Sequence, residues 1–314
     1  MQHNLHIDHV TQTVMSSSAK GLAASWRRSM MSYALDPSER HRHARLTERE
    51  TNKRRAFAHA MCEVANPLMD HLFNLVCASG CGVFLTDHDG VVLDQRCSSG
   101  DVLAFQDWNL WSGARWSEDV EGTNGIGTCL AEGRRLVIHR DEHFATRNTG
   151  MSCIDAPIHD QNGALVGALD VSSARSDQSA PLNRLMFEAV TQTARQIEAN
   201  LFRSAFASCR LVVATADGSA LLAVDSDDVV VGANRAARKL FDLPTTGPLD
   251  ACPATDLLQD TPERRGFDRG EHAAIKRALL RHGGNASAAA RALGIGRATL
   301  YRRAKRLGIM TDGT

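Results

Sequence analysis

The sequence predicts a multidomain α+β protein, with an antiparallel sheet carried between helices and an all-α unit at the C-terminal end. Three observations carry this. Two strand–turn–strand patterns lie between two long amphipathic helical stretches. The last stretch, about forty residues long, reads as three short helices with a glycine turn between the second and third. The charge is also lopsided. Thr261 to Thr314 holds twelve Lys/Arg against four Asp/Glu, a net of about +8, which the rest of the chain balances with about −8.

Residues 1–56 read as polar helices leading into the next domain. The charge run from Glu39 to Arg55 fits a solvated helix face better than a DNA-binding arm. From Ala58 to Ala78, Met61, Val64, Ala65, Leu68, Leu72, Leu75 and Val76 fall at helical spacing. Gly82 to Asp87 and Val91 to Asp94 alternate as strands around the turn Asp87-His-Asp-Gly90, a first hairpin. Gly133 to His139 is a further strand candidate. Ser152 to Asp160 and Ala164 to Ser172, around Asp160-Gln-Asn-Gly163, form a second hairpin. Leu182 to Phe206 runs as one amphipathic helix, expected as a dimer seam and transmission rod. Residues 210–255 read as a short separate unit, with strands at Ala220–Asp225 and Val229–Val231 and a helix at Asn234–Leu240. Leu243 to Glu263 holds four of the eight prolines and reads as a linker.

Composition excludes several classes. No apolar run approaches a membrane span, and the polar start MQHNLHIDHV lacks the apolar core of a signal peptide, so a cytoplasmic chain without membrane contact is expected. The eight cysteines are scattered and include no Cys-x-x-Cys, which fits reduced thiols rather than a disulfide scaffold or a zinc site. His139, Asp141 and His143 alternate along one strand edge and do not make a ligand set. No metal and no cofactor is expected.

The C-terminal segment carries the clearest chemistry. Gly283-Gly284 stops a first helix, Glu271 to His282, and Asn285 or Ser287 can cap a second, Ala286 to Leu293. Gly294-Ile-Gly296 turns into a basic third helix, Arg297 to Leu307. Ala289 and Ala290 are small where helices must approach, and Leu293, Ile295 and Leu300 are placed to close a three-helix core. A helix of this kind can enter the major groove with its first residues at base edges while other cations neutralise phosphates.

Residues 283–309, GGNASAAARALGIGRATLYRRAKRLGI, resemble the Fis-type helix-turn-helix. The resemblance implies DNA as the partner and places Arg297, Thr299, Tyr301, Arg302, Arg303, Lys305 and Arg306 at DNA-facing positions of a domain spanning 268–310. Fis-type domains pair through their first helices, so a homodimer on a two-fold site is implied. Upstream, Trp116 to Leu130 (WSEDVEGTNGIGTCL), Glu142-His143-Phe144, Cys153 to Ile158 and Gly167 to Ser172 together resemble a GAF domain, over residues 57–206. With Ser25-Trp-Arg-Arg-Ser29 and Leu35-Asp-Pro37, they are similar to the sensor region of the acetoin-catabolism activators, the AcoR-like regulators. Ala220 to Leu243 resembles the start of a PAS domain, so 210–262 is expected as a PAS-like fragment and linker.

A GAF pocket would hold an unknown small-molecule effector, with Trp116, Asn124, Thr128, Cys129, His143 and Cys153 as candidate lining residues. For Cys129 and Cys153, packing competes with a redox or ligand role. For His143, a structural hydrogen bond competes with ligand contact. Asn124-Gly-Ile-Gly127 lacks the Lys-Ser/Thr ending of a phosphate loop and is expected to turn into a helix.

Regulators similar to this one usually carry a central ATPase domain that remodels sigma-54 RNA polymerase. Here Gly-x-x-x-x-Gly-Lys-[Ser/Thr] and Gly-Ala-Phe-Thr-Gly-Ala are both missing, and the stretch from Leu201 to Glu271 is too short for such a domain. The expected function is a ligand-responsive DNA-binding regulator that does not use ATP and is not an enzyme, with RNA polymerase or another regulator as a further partner. A co-regulator that pairs with full-length sigma-54-class activators is the alternative. A thiol-dependent reductase on the GAF fold is a third reading, without a matching cysteine set.

Overall fold

The computed structural model describes residues 2–15, 21–39, 43–173, 180–258 and 266–309. They form two compact units, Met1–Leu257 and Leu258–Thr314.

The first unit opens with α1 (Gln2–Met15) and α2 (Leu22–Arg27), the latter running on as a π-helical turn over Arg28–Ser32. Then come α3 (Glu48–Phe57) and α4 (His59–Val76). Thr47 and Glu50 cap α3 reciprocally, which satisfies two otherwise free amides. β1 (Cys81–Asp87) and β2 (Val92–Arg96) make the first hairpin. The short helices α5 (Val102–Asp107) and α6 (Glu118–Glu121) lead to α7 (Gly125–Glu132) and β3 (Leu136–His139). β4 (Ser152–His159) and β5 (Leu165–Ser173) make the second hairpin, and α8 (Ala180–Ala205) follows.

All pairings are antiparallel, in the order β2-β1-β5-β4-β3. The second hairpin thus inserts beside the first, which places β1 and β5 at the centre. Alternation sends Ile154, Ala156, Leu169 and Val171 to one face, where α4 and α8 cover them with Met61, Ala65, Met69, Leu72, Val190 and Ile197. The expected helix is present, but Leu75 is exposed and Met69 takes an inward position. On the opposite face Phe84, Cys153, Asp155 and Asp170 lie under α7 and the loops before it, with Phe105, Trp116 and Ile126 packed there. Both sheet faces are covered, so every residue of β1 is buried.

Residues 210–255 are not a separate unit. β6 (Arg210–Val213), β7 (Leu221–Val224), β8 (Val229–Ala233) and β9 (Cys252–Pro253) form a second antiparallel sheet in that order, with α9 (Arg235–Leu240) and α10 (Ala254–Leu257). The sheet packs on the end of α8, where Phe202 and Phe206 meet Leu221 and Ala223. The stretch expected as a linker therefore carries β9 and α10 as far as Leu257, while residues 259–265 lie outside the described residues. The outer face of α8 is mostly polar, with Arg184, Glu188, Gln192, Arg195 and Gln196 exposed. It therefore lacks the continuous apolar stripe that a dimer seam along its length would need.

The second unit is three helices: α11 (Gly266–Arg281), α12 (Ala286–Ala292) and α13 (Arg297–Arg306). Ile275, Leu279, Ala289, Ala290, Leu300 and Ala304 form its core, with Leu293 and Ile295 half-buried against it.

Candidate sensor interior and DNA-binding face

The N-terminal helices seal the α7 side of the first sheet. Trp26 is buried among Val10, Val14 and Phe144, and its indole nitrogen donates to the Glu142 carbonyl at 2.8 Å. Next to it, Glu118 is almost fully buried. Arg28 grips it with two bonds of 2.8 and 2.9 Å, Thr128 donates to it at 3.1 Å, and Ser25 donates to the same carboxylate. A buried carboxylate needs this many donors to offset its lost hydration. Reading the sequence found the Ser-Trp-Arg-Arg-Ser motif but not its partner, because Glu118 is ninety residues from Arg28.

All six candidate lining residues are buried. Trp116 donates to the Asn109 carbonyl at 3.0 Å. Asn124 caps α7, accepting from the Gly127 amide at 2.8 Å, so this glycine-rich turn serves a helix start. Thr128 lines a cavity of about 320 Å³ together with Ser25, Glu132, Leu136 and Glu142. Cys129 packs with Leu136, Ile138 and Ala168 instead. His143 and Cys153 meet: Nδ1 of His143 lies 2.9 Å from the Arg140 carbonyl, and Nε2 faces the Cys153 sulfur at 3.4 Å. Burial pushes His143 down to about 4, so the ring is neutral at pH 7. Its Nδ1–H then donates to the carbonyl, and Nε2 accepts from the thiol. Burial pushes the Cys153 and Cys129 thiols well up, away from the thiolate form that reacts.

Beside Cys153 lies a feature that sequence reading missed. Asp155 and Asp170 stand directly opposite each other on β4 and β5, both fully buried. Ser172 donates to Asp170 at 2.7 Å. Both Asp155 oxygens and one Asp170 oxygen have no hydrogen-bond partner among the described residues. Burial and the neighbouring carboxyl push Asp155 well above the usual carboxylate range, and burial pushes Asp170 up to about 7. With both carboxyls shifted toward the protonated form, one can donate to the other across the β4–β5 pairing. Gly125 makes room for the pair, since a Cβ there would sit 2.0 Å from an Asp155 oxygen. Among the described residues, no group of three or more His, Cys, Asp or Glu is placed to hold a metal.

In the second unit the turn between α12 and α13 rests on Gly294 at φ +65°, a left-handed conformation costly for other residues. Asn285 is the cap of α12, accepting from Ser287 and Ala288 at 3.1 Å each. On α13, Leu300 and Ala304 point inward. Arg297, Tyr301, Arg302, Arg303, Lys305 and Arg306 are exposed and Thr299 is half-buried. The Arg297 guanidinium lies 5.6 Å from the centre of the Tyr301 ring. Arg303 and Arg306 both pair with Glu271 of α11, Arg303 at 2.9 Å. Those two therefore brace α13 against α11, which distinguishes them from Arg297 and Arg302.

The GAF domain family matches residues 61–201, and the Fis family of bacterial regulatory proteins matches residues 268–308. The chain is 30% identical to an acetoin catabolism regulatory protein of Cupriavidus necator, over 74% of this chain and 36% of that protein. It is 32% identical to the acetoin dehydrogenase operon transcriptional activator AcoR of Bacillus subtilis, over 34% of this chain and 18% of that protein. The matches thus span little more than a third of these relatives at most. The fold is similar to the Escherichia coli DhaR(N)–DhaL complex, with a TM-score of 0.54 and 15% identity over 82% of this chain and 86% of that one. No helix among the described residues is long and apolar enough to cross a membrane.

Proposed function

From a chain that joins a GAF domain to a Fis-type helix-turn-helix, and whose relatives include acetoin catabolism regulators, we propose a sequence-specific DNA-binding transcription regulator whose GAF domain responds to a small molecule or a partner. The observation that carries this reading is α13. Its inner face closes a three-helix core, and its outer face presents Arg297, Tyr301, Arg302 and Lys305 beyond a glycine turn. Arginine can bridge two acceptors of guanine, and Thr299 can meet a thymine methyl. Arg303 and Arg306 act through orientation, held by Glu271.

The protein acts as a homodimer on a two-fold site. Leu280 on α11 supports this: it is 73% exposed on the helix through which Fis-type domains pair. The effector is sensed at the α7 side of the sheet, around Thr128, His143, Cys153 and the Asp155–Asp170 pair. The protein regulates without ATP. The residues between α8 and α11 supply a four-stranded sheet and short helices, and no phosphate-binding loop sequence occurs. The purified protein should therefore show no DNA-stimulated ATP hydrolysis above a buffer control. Turnover that rises with added DNA would overturn this part.

The DNA reading has its own test. Arg297→Ala should cost roughly 1–3 kcal/mol at the cognate site and little on random DNA. Lys305→Ala should weaken all sequences alike and lower the salt slope by about one. Fluorescence anisotropy across a salt series reads both effects. Equal losses on cognate and random DNA for Arg297→Ala would show that α13 reads no bases.

A further inference from the structure

We propose that Glu271 of α11 is a positioning residue that sets how strongly α13 grips DNA regardless of sequence, by holding Arg303 and Arg306 off the phosphate backbone. The inference rests on the reading of α13 as the helix that meets DNA. A carboxylate so near that helix runs against its task. α12 and α13 contain no acidic residue, and α11 contains two, Asp268 and Glu271. A negative side chain beside a surface that must meet a polyanion weakens the attraction. Stability does not account for it, because ion pairs as open as these contribute at most about 1 kcal/mol each.

Its place on the helix gives it a specific effect. Leu300, Ala304 and Leu307 form the core side of α13. Thr299, Arg303 and Arg306 follow at helical spacing along one flank, and Arg297, Tyr301 and Lys305 along the other. Glu271 lies against the first flank. One of its carboxylate oxygens is 2.9 Å from the Arg303 guanidinium, and the other pairs with Arg306. Among the described residues, Arg297 and Arg302 make no ion pair. For Arg303 and Arg306, taking a phosphate exchanges one ion pair for another and gains little.

Phosphates recur along every duplex, so two cations released from Glu271 would stabilise every register alike, whereas base contacts form in one. Holding them back raises the share of the binding energy that depends on sequence. The same pairs brace α13 against α11, so their loss also loosens the helix that must fit that one register.

The test is a double-mutant cycle on the full chain, read by fluorescence anisotropy across a salt series. It uses a random-sequence duplex and the duplex that the wild type selects from a random pool. Glu271→Gln should tighten the random duplex by roughly tenfold at about 0.1 M salt and steepen its salt slope by up to about two. The selected duplex should gain less, so the ratio of the two affinities falls. Adding Arg303→Gln to Glu271→Gln should take back about one of that slope, and Arg303→Gln in the wild type should take well under half as much. An unchanged slope for Glu271→Gln, or a loss of about one for Arg303→Gln in the wild type, would overturn the proposal. So would equal weakening on both duplexes by Glu271→Gln, the mark of a merely structural side chain. Thermal melting checks that each variant is folded. If Glu271→Gln is not, the slope of Arg303→Gln in the wild type decides by itself. Arg297→Ala tests the DNA reading separately, through a loss confined to the selected duplex, so the two readings fail independently.

Discussion

Asp155→Asn is expected to stabilise the protein above neutral pH and to flatten its loss of stability with rising pH. In the unfolded chain both carboxyls ionise near about 3.9. In the fold they keep their protons longer, Asp170 to about 7 and Asp155 well above the usual range. From about 4 upward the native state therefore holds more protons than the unfolded state. Stability then falls with pH and levels off only above neutrality. His143 has the opposite sign. Its folded value of about 4 lies below the ordinary 6.5, so its contribution is complete above 6.5 and is lost as pH falls toward 4. The wild-type curve contains both, and the difference from the variant isolates the aspartates. The amide of asparagine can donate to Asp170, which removes both the repulsion and the missing bond. Urea unfolding from about pH 5 to 8.5 measures this. Parallel curves for the two proteins would mean that the pair ionises at ordinary values.

Trp26→Ala should cost roughly 3–5 kcal/mol, the usual loss for a buried large aromatic. The indole fills the space among α1, α2 and Phe144, and its nitrogen holds the Glu142 carbonyl. Its loss should also loosen the Arg28–Glu118 contact two residues on, exposing a carboxylate that is buried in the native state. Limited proteolysis should then release the first forty or so residues before the GAF domain is cut. If the variant melts like the wild type and is cut no faster, the N-terminal helices are an accessory and not a part of the sensor. Glu118→Gln offers a milder check: it keeps the shape of the side chain and removes the charge that Arg28 pairs with.

What could be read from the sequence was local. The second unit was legible almost residue by residue, because its helices, cap and glycine turn are set by neighbours within four positions: Asn285 on α12, Gly294 in the turn, Leu300 facing inward. Both hairpins were legible for the same reason, since alternation and turn residues lie side by side. β6 and β9 were missed because short edge strands carry too few residues for a period to register, and β9 contains a proline.

The tertiary structure alone decided which distant residues share a site. Glu271 pairs with Arg303 and Arg306, two of the residues expected to face DNA, because α11 packs across α13. Asp155 and Asp170 stand opposite each other through the register of the β4–β5 hairpin, and it is the packing of α7 and the loops before it over that face that buries both charges together. A sequence states which charges a chain owns. Whether a charge meets a partner, a like charge or solvent is settled by packing, because the energy of a charge depends on what surrounds it.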